Sequence, residues 1–232
     1  MSVPRTARDL ARAEITRSIQ ETARRHLAEV GPAALSLRAI ARDVGMVSSA
    51  VYRYFPSRDE LLTALIVEAY DELGAATEAA DAAVRRRGDL RRRFLALCHA
   101  IHDWARAHPH EYALLYGSPV PGYAAPETTV PSAARVTTVF LRLAQESEAA
   151  AQPVGAPTRA VTGKERTALG GVRAAMETPV SDDRTVRWLM AWSTLFGHVS
   201  LELFGHMYRG VLDYDAHFSQ VVEQLADDLG LD

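Results

Sequence analysis

The chain has 232 residues, of which 48% are hydrophobic and 24% are charged, and its formal net charge at pH 7 is −3. No apolar run approaches the roughly 18 residues of a membrane span, and the N-terminus lacks the apolar core of a secretory signal, so the composition predicts a soluble, cytoplasmic protein. The single cysteine, Cys98, excludes an intramolecular disulfide and any multi-cysteine metal cluster.

Charge is distributed unevenly along the chain. Residues 1–60 contain ten Arg against seven Asp and Glu, a net charge of +3, so residues 61–232 carry the remaining −6. A basic first part on an acidic remainder favours a phosphate-facing surface near the start of the chain. The excess is small, and an ordinary solvated surface would also explain it.

A long helix is predicted at the start, from about Ala7 to Val30. Its apolar residues recur at helical intervals, and the pair Gly31-Pro32 ends it. We expect this helix to support the next elements by packing.

Two short helices joined by a tight turn are predicted next. Ser36 is a capping residue for the first helix, and Gly45 supplies a turn conformation that costs other residues energy. Ser48 is predicted to cap the second helix, whose Val51 and Phe55 point back toward the first.

The outward side of the second short helix has a distinctive composition. Small side chains are followed by a hydroxyl-bearing ring and a cation: Ser48, Ser49, Ala50, Tyr52 and Arg53. This pattern suits a helix that enters a DNA groove better than one that is only solvated. The alternative is a generic helical hairpin with a polar outer face.

At these residues the chain resembles the N-terminal domain of the TetR family of transcriptional regulators, over about residues 10 to 65. The resemblance is carried by Ile40-Ala41, Gly45, Ser48-Ser49, Val51-Tyr52-Arg53-Tyr54-Phe55, Pro56-Ser57-Arg58 and Leu61-Leu62. Two positions depart from the family pattern, because Val47 stands where a small polar residue is common and Arg58 replaces the more usual Lys.

The resemblance implies that different residues contact the phosphates and the bases of the DNA. Phosphate contacts are expected from Ser36, Arg38, Tyr52, Tyr54 and Arg58. Ser48, Ser49 and Ala50 are expected to lie nearest the base edges. The resemblance further implies a homodimer that binds an operator, most often as a repressor, and a small molecule that releases it.

Further helices follow in order. Ser57 begins a long helix predicted to reach the cluster Arg85-Arg86-Arg87, and Asp89 begins another that ends near His108-Pro109. Pro109 opens a short helix through Tyr116. A helix from Ser132 to about Ala150 then lies between two loops rich in Pro and Gly, at residues 117–131 and 151–165.

Two apolar helices are predicted at the C-terminal end, from Thr185 to about Tyr208 and from about Tyr214 to Leu229. The first is apolar on two sides and is predicted to be buried all round. Together they are expected to form half of a four-helix dimer interface through Leu195, Val199, Leu203, Phe218, Val221, Val222 and Leu225. The run from Trp192 to Leu203 is also similar to the C-terminal domain of a TetR subgroup marked by a Trp, an aromatic residue or His, and Gly.

Large rings come from several helices of this region, and they predict either a filled core or a ligand cavity. The candidate ligand-binding residues are Phe94, Cys98, His102, Trp104, Tyr112, Tyr116, Phe140, Trp188 and Trp192. A cavity between the helix that follows Asp89 and the helix that begins at Ser57 would take a small apolar effector.

An alternative function remains open at one cluster. Cys98 and His102 share a helix face, with His99 beside them, so a helical enzyme or a metal-sensing protein could use them. Phosphate loops, paired carboxylates and Ser-centred elbows are missing from the sequence. No catalytic residue, metal or cofactor is therefore predicted.

Taken as a whole, the sequence predicts an all-α protein. A three-helix, helix-turn-helix DNA-binding domain is expected at residues 1–56, and a helical ligand-binding and dimerisation domain at residues 57–232. The expected partners are a double-stranded DNA operator, a small apolar effector and a second copy of the chain, with no membrane.

Overall fold

The computed structural model describes residues 6–150 and 159–231, and these ranges are helical without any β-strand. The eleven α-helices in them are α1 (Ala7–Val30), α2 (Leu37–Asp43), α3 (Ser48–Val51), α4 (Arg58–Ala83), α5 (Leu90–Ala107), α6 (Pro109–Tyr116), α7 (Val130–Ala149), α8 (Gly163–Ala168), α9 (Gly170–Ala174), α10 (Asp182–Leu203) and α11 (Tyr214–Asp228). Short 3₁₀ turns lie at Pro32–Ala34 and Glu127–Thr129. The all-α prediction is confirmed. Within these ranges, none of the helices has the length and apolar character needed to span a membrane.

The chain divides into two compact units. The first unit comprises the chain up to Tyr70 together with His108–Ser132, and the second comprises Asp71–Ala107 and the chain from Ala133 onward. Helix α4 contributes residues to both units. The boundary predicted between residues 56 and 57 divides the chain by expected function, whereas these units are defined by packing. That boundary stays a prediction.

Helix α1 has the bounds that the sequence predicts. Its start is fixed by Thr6, whose side chain accepts a hydrogen bond from the Asp9 backbone N–H at 3.2 Å while Asp9 bonds back to the Thr6 backbone. Its end is fixed by Gly31, which has a φ of 72°. A residue with a side chain would be strained in that conformation.

Helices α2 and α3 form the predicted pair, with one correction at the second cap. Ser36 caps α2 as expected, and Gly45 has a φ of 71° in the turn. The cap of α3, however, is Val47, which makes no side-chain cap bond, and Ser48 is already the first helical residue. Val47 has an extended backbone, so the chain enters the helix one residue earlier than the hydroxyl pattern indicated.

The core of the first unit holds these helices together. Apolar side chains from α1, α2, α3, the turn after α3 and α4 are buried against one another, namely Ile19, Ala23, Leu37, Ile40, Ala41, Val51, Phe55, Leu61, Leu62 and Leu65. Val51 and Phe55 point back toward α2 as predicted. This packing fixes the orientation of α3, which is too short to be stable alone.

Helix α4 begins where predicted and ends earlier. The Ser57 hydroxyl accepts a hydrogen bond from the Glu60 backbone N–H at 3.1 Å. The prediction that the helix reaches the arginine cluster is wrong, because the helix ends at Ala83. The Arg87 guanidinium folds back and donates to the Val84 carbonyl at 3.3 Å and to the Asp81 carbonyl, which satisfies the final turn.

The middle of the chain follows the prediction closely until the second loop, except that α7 begins at Val130, two residues inside the first predicted loop. Asp89 caps α5 through a bond from the Arg92 backbone N–H at 3.0 Å, and Pro109 is the first residue of α6. The loop predicted at residues 151–165 lies partly outside the described residues. Its last part begins α8, so the expected loop there is wrong. Thr162 caps that helix by accepting a bond from the Glu165 backbone N–H at 3.2 Å.

Helix α10 differs from its prediction in bounds and in burial. It begins at Asp182 and ends at Leu203, so both ends lie earlier than expected. It is not buried all round, because Met190 is 63% exposed and Leu201 is 46% exposed. Helix α11 begins after Asp213, whose side chain accepts a bond from the Ala216 backbone N–H at 2.9 Å.

Candidate nucleic-acid interface and ligand cavity

The exposed face of α2 and α3 carries most of the residues predicted to contact DNA. The exposed members of this set are Ser36, Arg38, Ser49, Tyr52 and Arg53, and the half-buried members are Ser48, Tyr54 and Arg58. All eight belong to the first unit, in the segment that runs from the cap of α2 to the first residue of α4. We call this surface the helix-turn-helix face.

Ala50 does not belong to the helix-turn-helix face. Only 8% of its surface is exposed, and its neighbour Val51 is fully buried. The prediction that Ala50 points outward is therefore wrong, since this side of the four-residue helix α3 packs against the core. Ser49 and Tyr52 remain as the exposed residues of the same stretch.

Two cations on the helix-turn-helix face are available to a nucleic acid. Arg38 and Arg53 are exposed, and neither forms an ion pair with the residues that the structure describes. Arg12 of α1 is also exposed, and its guanidinium carbon lies 5.0 Å from the centre of the Tyr54 ring. This cation–π contact restrains the Tyr54 ring.

Arg58 has a structural role in addition to the one predicted for it. Its guanidinium donates to the Pro32 carbonyl at 2.7 Å and to the Ala33 carbonyl at 3.3 Å. These bonds tie the start of α4 to the turn that precedes α2. The phosphate contact expected of Arg58 stays a prediction.

Replacing Gly45 with alanine is expected to destabilise the helix-turn-helix by about 1 kcal/mol. A Cβ at this position meets no atom within 4 Å, so the cost comes only from the positive φ. Hydrogen exchange of the peptide covering residues 37–55 should become roughly five-fold faster. Gly88→Ala is the control, because Gly88 also has open space and has no positive φ. Equal exchange in the two variants would contradict this account of the turn.

A cavity of about 340 Å³ lies in the second unit. Residues of α7, α9 and α10 and of the segment after α9 line it: Thr137, Phe140, Leu141, Gly171, Val172, Ala175, Met176, Thr185, Trp188, Leu189 and Trp192. None of these side chains is charged. The cavity therefore suits an apolar ligand.

The structure brings three of the predicted ligand-binding residues to this cavity, namely Phe140, Trp188 and Trp192. Phe94 lies directly behind them, with its ring 5.7 Å from the Trp188 ring and 6.1 Å from the Phe140 ring in edge-to-face contacts. The position expected between α4 and α5 is wrong for this aromatic cavity. A groove between the end of α4 and the start of α5 is lined by alanines, Val84 and three arginines instead.

The other predicted ligand-binding residues lie elsewhere. Cys98 and Trp104 are buried in α5, and neither lines the aromatic cavity. His102 stacks on Phe218 at 4.0 Å and bonds Glu202 at 2.9 Å. Tyr112 and Tyr116 belong to the first unit, where their rings contact each other.

Sequence reasoning missed the cavity wall that α9 and the residues after it supply. Val172 and Met176 are four residues apart, which is helical spacing. The signal that precedes them is the pattern from Thr162 to Glu165, which is typical of a capped helix start. The Gly and Pro residues nearby predicted a loop instead, so the helical pattern was not recognised.

The Cys98 cluster is poorly suited to metal or nucleophile chemistry. Burial raises the pKa of the Cys98 thiol well above its usual range, so the neutral form is favoured. Among the described residues, no group of three His, Cys, Asp or Glu side chains is arranged to hold a metal ion. The alternative function is therefore supported by no further observation.

The predicted dimer residues divide by burial. Leu195, Val199, Phe218 and Val222 are fully buried within the chain, and Leu225 is 8% exposed. Leu203 and Val221 are half-buried. The exposed apolar residues of the same region are different ones, chiefly Met190, Leu201, Phe204, Tyr208 and Leu212.

An all-helical chain with a three-helix head, a glycine turn and exposed cations on its second helix and just after its third defines the class of helix-turn-helix DNA-binding proteins. Comparison with known families agrees with this class. The profile for bacterial regulatory proteins of the tetR family matches residues 19–65, and that for the tetracyclin repressor-like C-terminal domain matches residues 94–225.

Similar proteins have been recognised in mycobacteria and among solved structures. The chain is 38% identical over 240 residues to the HTH-type transcriptional regulators Rv1816 of Mycobacterium tuberculosis and Mb1846 of Mycobacterium bovis, with 94% of each chain covered. The crystal structure of SCO4313 superposes with a TM-score of 0.77 at 33% identity, covering 96% of this chain and 98% of that one. A Rhodococcus sp. RHA1 protein of unknown function gives 0.67 at 26% identity, covering 93% of each. The chain belongs to the TetR family of transcriptional regulators, as its helix-turn-helix residues predicted.

Proposed function

We propose that this regulator is a cytoplasmic repressor that binds a palindromic operator as a homodimer and is released by a small, largely apolar molecule. The observation that carries the proposal is the helix-turn-helix face, on which Arg38 and Arg53 are exposed without an acidic partner in the described chain. Cations of this kind bind DNA phosphates, and the neighbouring exposed Ser49 would meet base edges. Residues 1–56 would then supply DNA binding and residues 57–232 would supply the rest.

A palindromic operator follows from two-fold symmetry. Two copies of α3 must enter successive major grooves about 34 to 36 Å apart, so each half of the operator repeats the other in inverted order. Selection of binding sites from random DNA tests this directly. We expect an inverted repeat to be enriched, and enrichment of a single unrepeated site would remove the palindrome from the proposal.

Helices α10 and α11 are the proposed dimer interface, as the sequence predicted. The exposed apolar side chains of this region support it, because contact with a second copy would remove them from water. The buried residues Leu195, Val199, Phe218 and Val222 would support the interface from beneath. The contact itself would be made by exposed residues such as Met190 and Leu201.

Replacing Leu201 with glutamate is expected to convert the dimer into monomers at micromolar concentration. Leu201 is 46% exposed, so the variant chain should fold, whereas a charge placed in an apolar interface costs several kcal/mol. Sedimentation velocity measures the result. Val30→Glu is the control, since Val30 is 52% exposed on α1 and lies outside the proposed interface. Wild-type protein that sediments as a monomer would overturn the dimer proposal.

Release by a ligand is proposed for the cavity between α7, α9 and α10. A ligand needs only about 1 to 3 kcal/mol of preference for the conformation that does not bind DNA to lower operator affinity measurably. A thermal-shift screen of apolar compounds, followed by operator release with each hit, tests this. Hits that stabilise the protein and leave the operator occupied would favour a constitutive DNA-binding protein.

A further inference from the structure

We infer that the second unit holds a separate binding site for a small phosphate monoester, in the groove between the end of α4 and the start of α5. Three arginines and four apolar residues line this groove, namely Arg85, Arg86, Arg92, Ala80, Ala83, Val84 and Ala96. We call it the arginine groove. It shares no lining residue with the cavity between α7, α9 and α10, so the inference does not depend on the proposed effector.

The arginines of the groove belong to a run in which six of nine residues are arginine, at positions 85–87 and 91–93. Three of the six are paired with carboxylates: Arg87 with Asp81, Arg91 with Glu223 and Asp227, and Arg93 with Asp81 and Glu146. The other three, Arg85, Arg86 and Arg92, are exposed and form no ion pair with the residues that the structure describes. The cations of this run that the fold leaves without a counter-charge are therefore the ones that line the groove.

Three unpaired cations in one groove favour an anionic ligand. Like charges that share a groove repel one another, and a bound anion replaces this repulsion with attraction. The described chain supplies no carboxylate to pair with them, although residues 61–232 carry a net charge of −6. Asp89 is the carboxylate nearest in sequence, and it accepts a hydrogen bond from the Arg92 backbone N–H at 3.0 Å, which caps α5.

The number of cations favours a phosphate monoester over a carboxylate. Near pH 7 such a phosphate carries a charge of about −1.5 to −2 and has three strong acceptor oxygens. An arginine fork donates two parallel N–H bonds to oxygens of this kind, and these bonds are stronger than those between neutral groups. A carboxylate offers one charge and two oxygens, so it would satisfy fewer of the three guanidinium groups.

The apolar lining of the groove favours an ester over the free phosphate ion. Ala80 and Ala83 belong to α4, Val84 follows them and Ala96 belongs to α5, so four of the seven lining side chains are apolar. The groove has a volume of about 580 Å³, within the range of about 300 to 1,000 Å³ that is usual for small-molecule sites. A phosphate ion fills only part of that volume. An apolar substituent on the phosphate would cover the alanines and be removed from water.

Titration calorimetry of the full chain with phenyl phosphate tests the inference. We expect a dissociation constant below about 1 mM at low salt. Inorganic phosphate, which lacks the ring, and benzoate, which lacks the second charge, should each bind about ten-fold more weakly. Absence of phenyl phosphate binding at millimolar concentration overturns the inference, and so does equal or tighter binding of either of the other two anions.

Arg85→Gln and Arg92→Gln should each lower the affinity for phenyl phosphate about ten-fold, because each removes one charged donor from the groove. Both side chains are exposed, so the variants should fold. Arg142→Gln is the matched control, since Arg142 is an exposed arginine of α7 in the same unit and does not line the groove. It should bind phenyl phosphate as wild type does. An equal affinity in all four proteins, or an equal loss in the control, overturns the inference.

A second measurement uses only the wild-type chain. In the NMR spectrum of ¹⁵N-labelled protein, phenyl phosphate should move the backbone amide signals of residues 84–92 more than those of residues 188–192, which include the rings of the aromatic cavity. Shifts that spare residues 84–92 overturn the inference. Duplex DNA of random sequence is titrated in parallel. If the DNA moves the signals of residues 84–92 and phenyl phosphate does not, the groove is a nucleic-acid surface and the inference is wrong.

Discussion

Replacing Arg38 with alanine is expected to weaken operator binding roughly 30-fold at 0.15 M salt and to make the plot of log K against log salt concentration shallower by about two units. Both numbers follow from counterion release. Each protein cation that neutralises a phosphate contributes about 0.9 to the slope, and a dimer loses two such contacts. The affinity should fall to a similar degree on every operator sequence, because phosphates carry no base identity.

The structure supports Arg38 as a phosphate contact in two ways. Its side chain is exposed in the first turn of α2, two residues after the cap residue Ser36, and it has no ion-pair partner in the described chain. The cation is thus not already neutralised by the protein. Fluorescence anisotropy at several salt concentrations measures both the affinity and the slope.

Arg17→Ala is the control, because it removes a positive charge from the first unit without removing a proposed phosphate contact. Arg17 is also exposed on a helix of the first unit, but it is paired with Glu14 at 2.6 Å and with Glu21 at 3.7 Å. Its loss should leave the salt slope within error of wild type. A changed sequence preference in Arg38→Ala with an unchanged slope would show that Arg38 reads bases, and that the helix-turn-helix is rotated relative to our assignment.

Replacing Arg93 with methionine is expected to destabilise the second unit by about 3 to 5 kcal/mol. Arg93 is fully buried in α5. Its guanidinium donates to Asp81 at 2.7 Å, to the Arg87 carbonyl at 2.8 Å and to both oxygens of Glu146. It therefore joins the end of α4, the loop after it and helix α7.

The cost arises because Asp81 would remain buried. Burial alone would raise the pKa of Asp81, but the hydrogen bonds from Arg93 and Arg87 outweigh it and hold that pKa below its ordinary value. Without Arg93, the carboxylate keeps only Arg87 as a cationic partner. A buried charge that loses its partner is far more costly than a surface pair that is broken.

The melting temperature of Arg93→Met should fall by about 10 °C. Arg106→Met is the matched control on the same helix, because Arg106 pairs with Asp215 at the surface, where the two side chains are 47% and 72% exposed. That variant should lose less than about 1 kcal/mol. Equal losses in the two variants would mean that the Arg93 network contributes no more than a surface ion pair.

The helix-turn-helix could be predicted because its signals are local. Ser36 caps α2, Gly45 makes the turn, and the apolar spacing fixes which side faces the core, all within some twenty residues of sequence. The two errors there, at Ser48 and Ala50, concern a helix of only four residues. A shift of one residue at its start changes which side chains point outward.

The cavity could not be located from the sequence, because it depends on which helices meet. Phe140, Trp188 and Trp192 come together across about fifty residues of chain, while Trp104 points elsewhere in the same unit. All four have the same helical periodicity, so the pattern does not separate a ring that lines a cavity from a ring that fills the core.

The buried network around Arg93 was also missed, although a signal existed. Arg93 lies on the apolar face of α5, three residues after Leu90 and four before Leu97, both of which are buried. A charged residue at an apolar position indicates a buried partner elsewhere in the chain. Its partners Asp81 and Glu146 lie 12 and 53 residues away, so no local pattern names them.

Footprinting tests most directly whether the chain binds a palindromic operator through its helix-turn-helix face. The DNA to use is that which flanks the gene for this chain, since regulators of this kind often act on neighbouring genes. We expect one protected segment with inverted half-sites whose centres lie about one helical turn apart, lost in Arg38→Ala and kept in Arg17→Ala. Addition of a ligand that fills the α7, α9 and α10 cavity should remove the protection. Protection without inverted symmetry, or protection that survives Arg38→Ala undiminished, would contradict it.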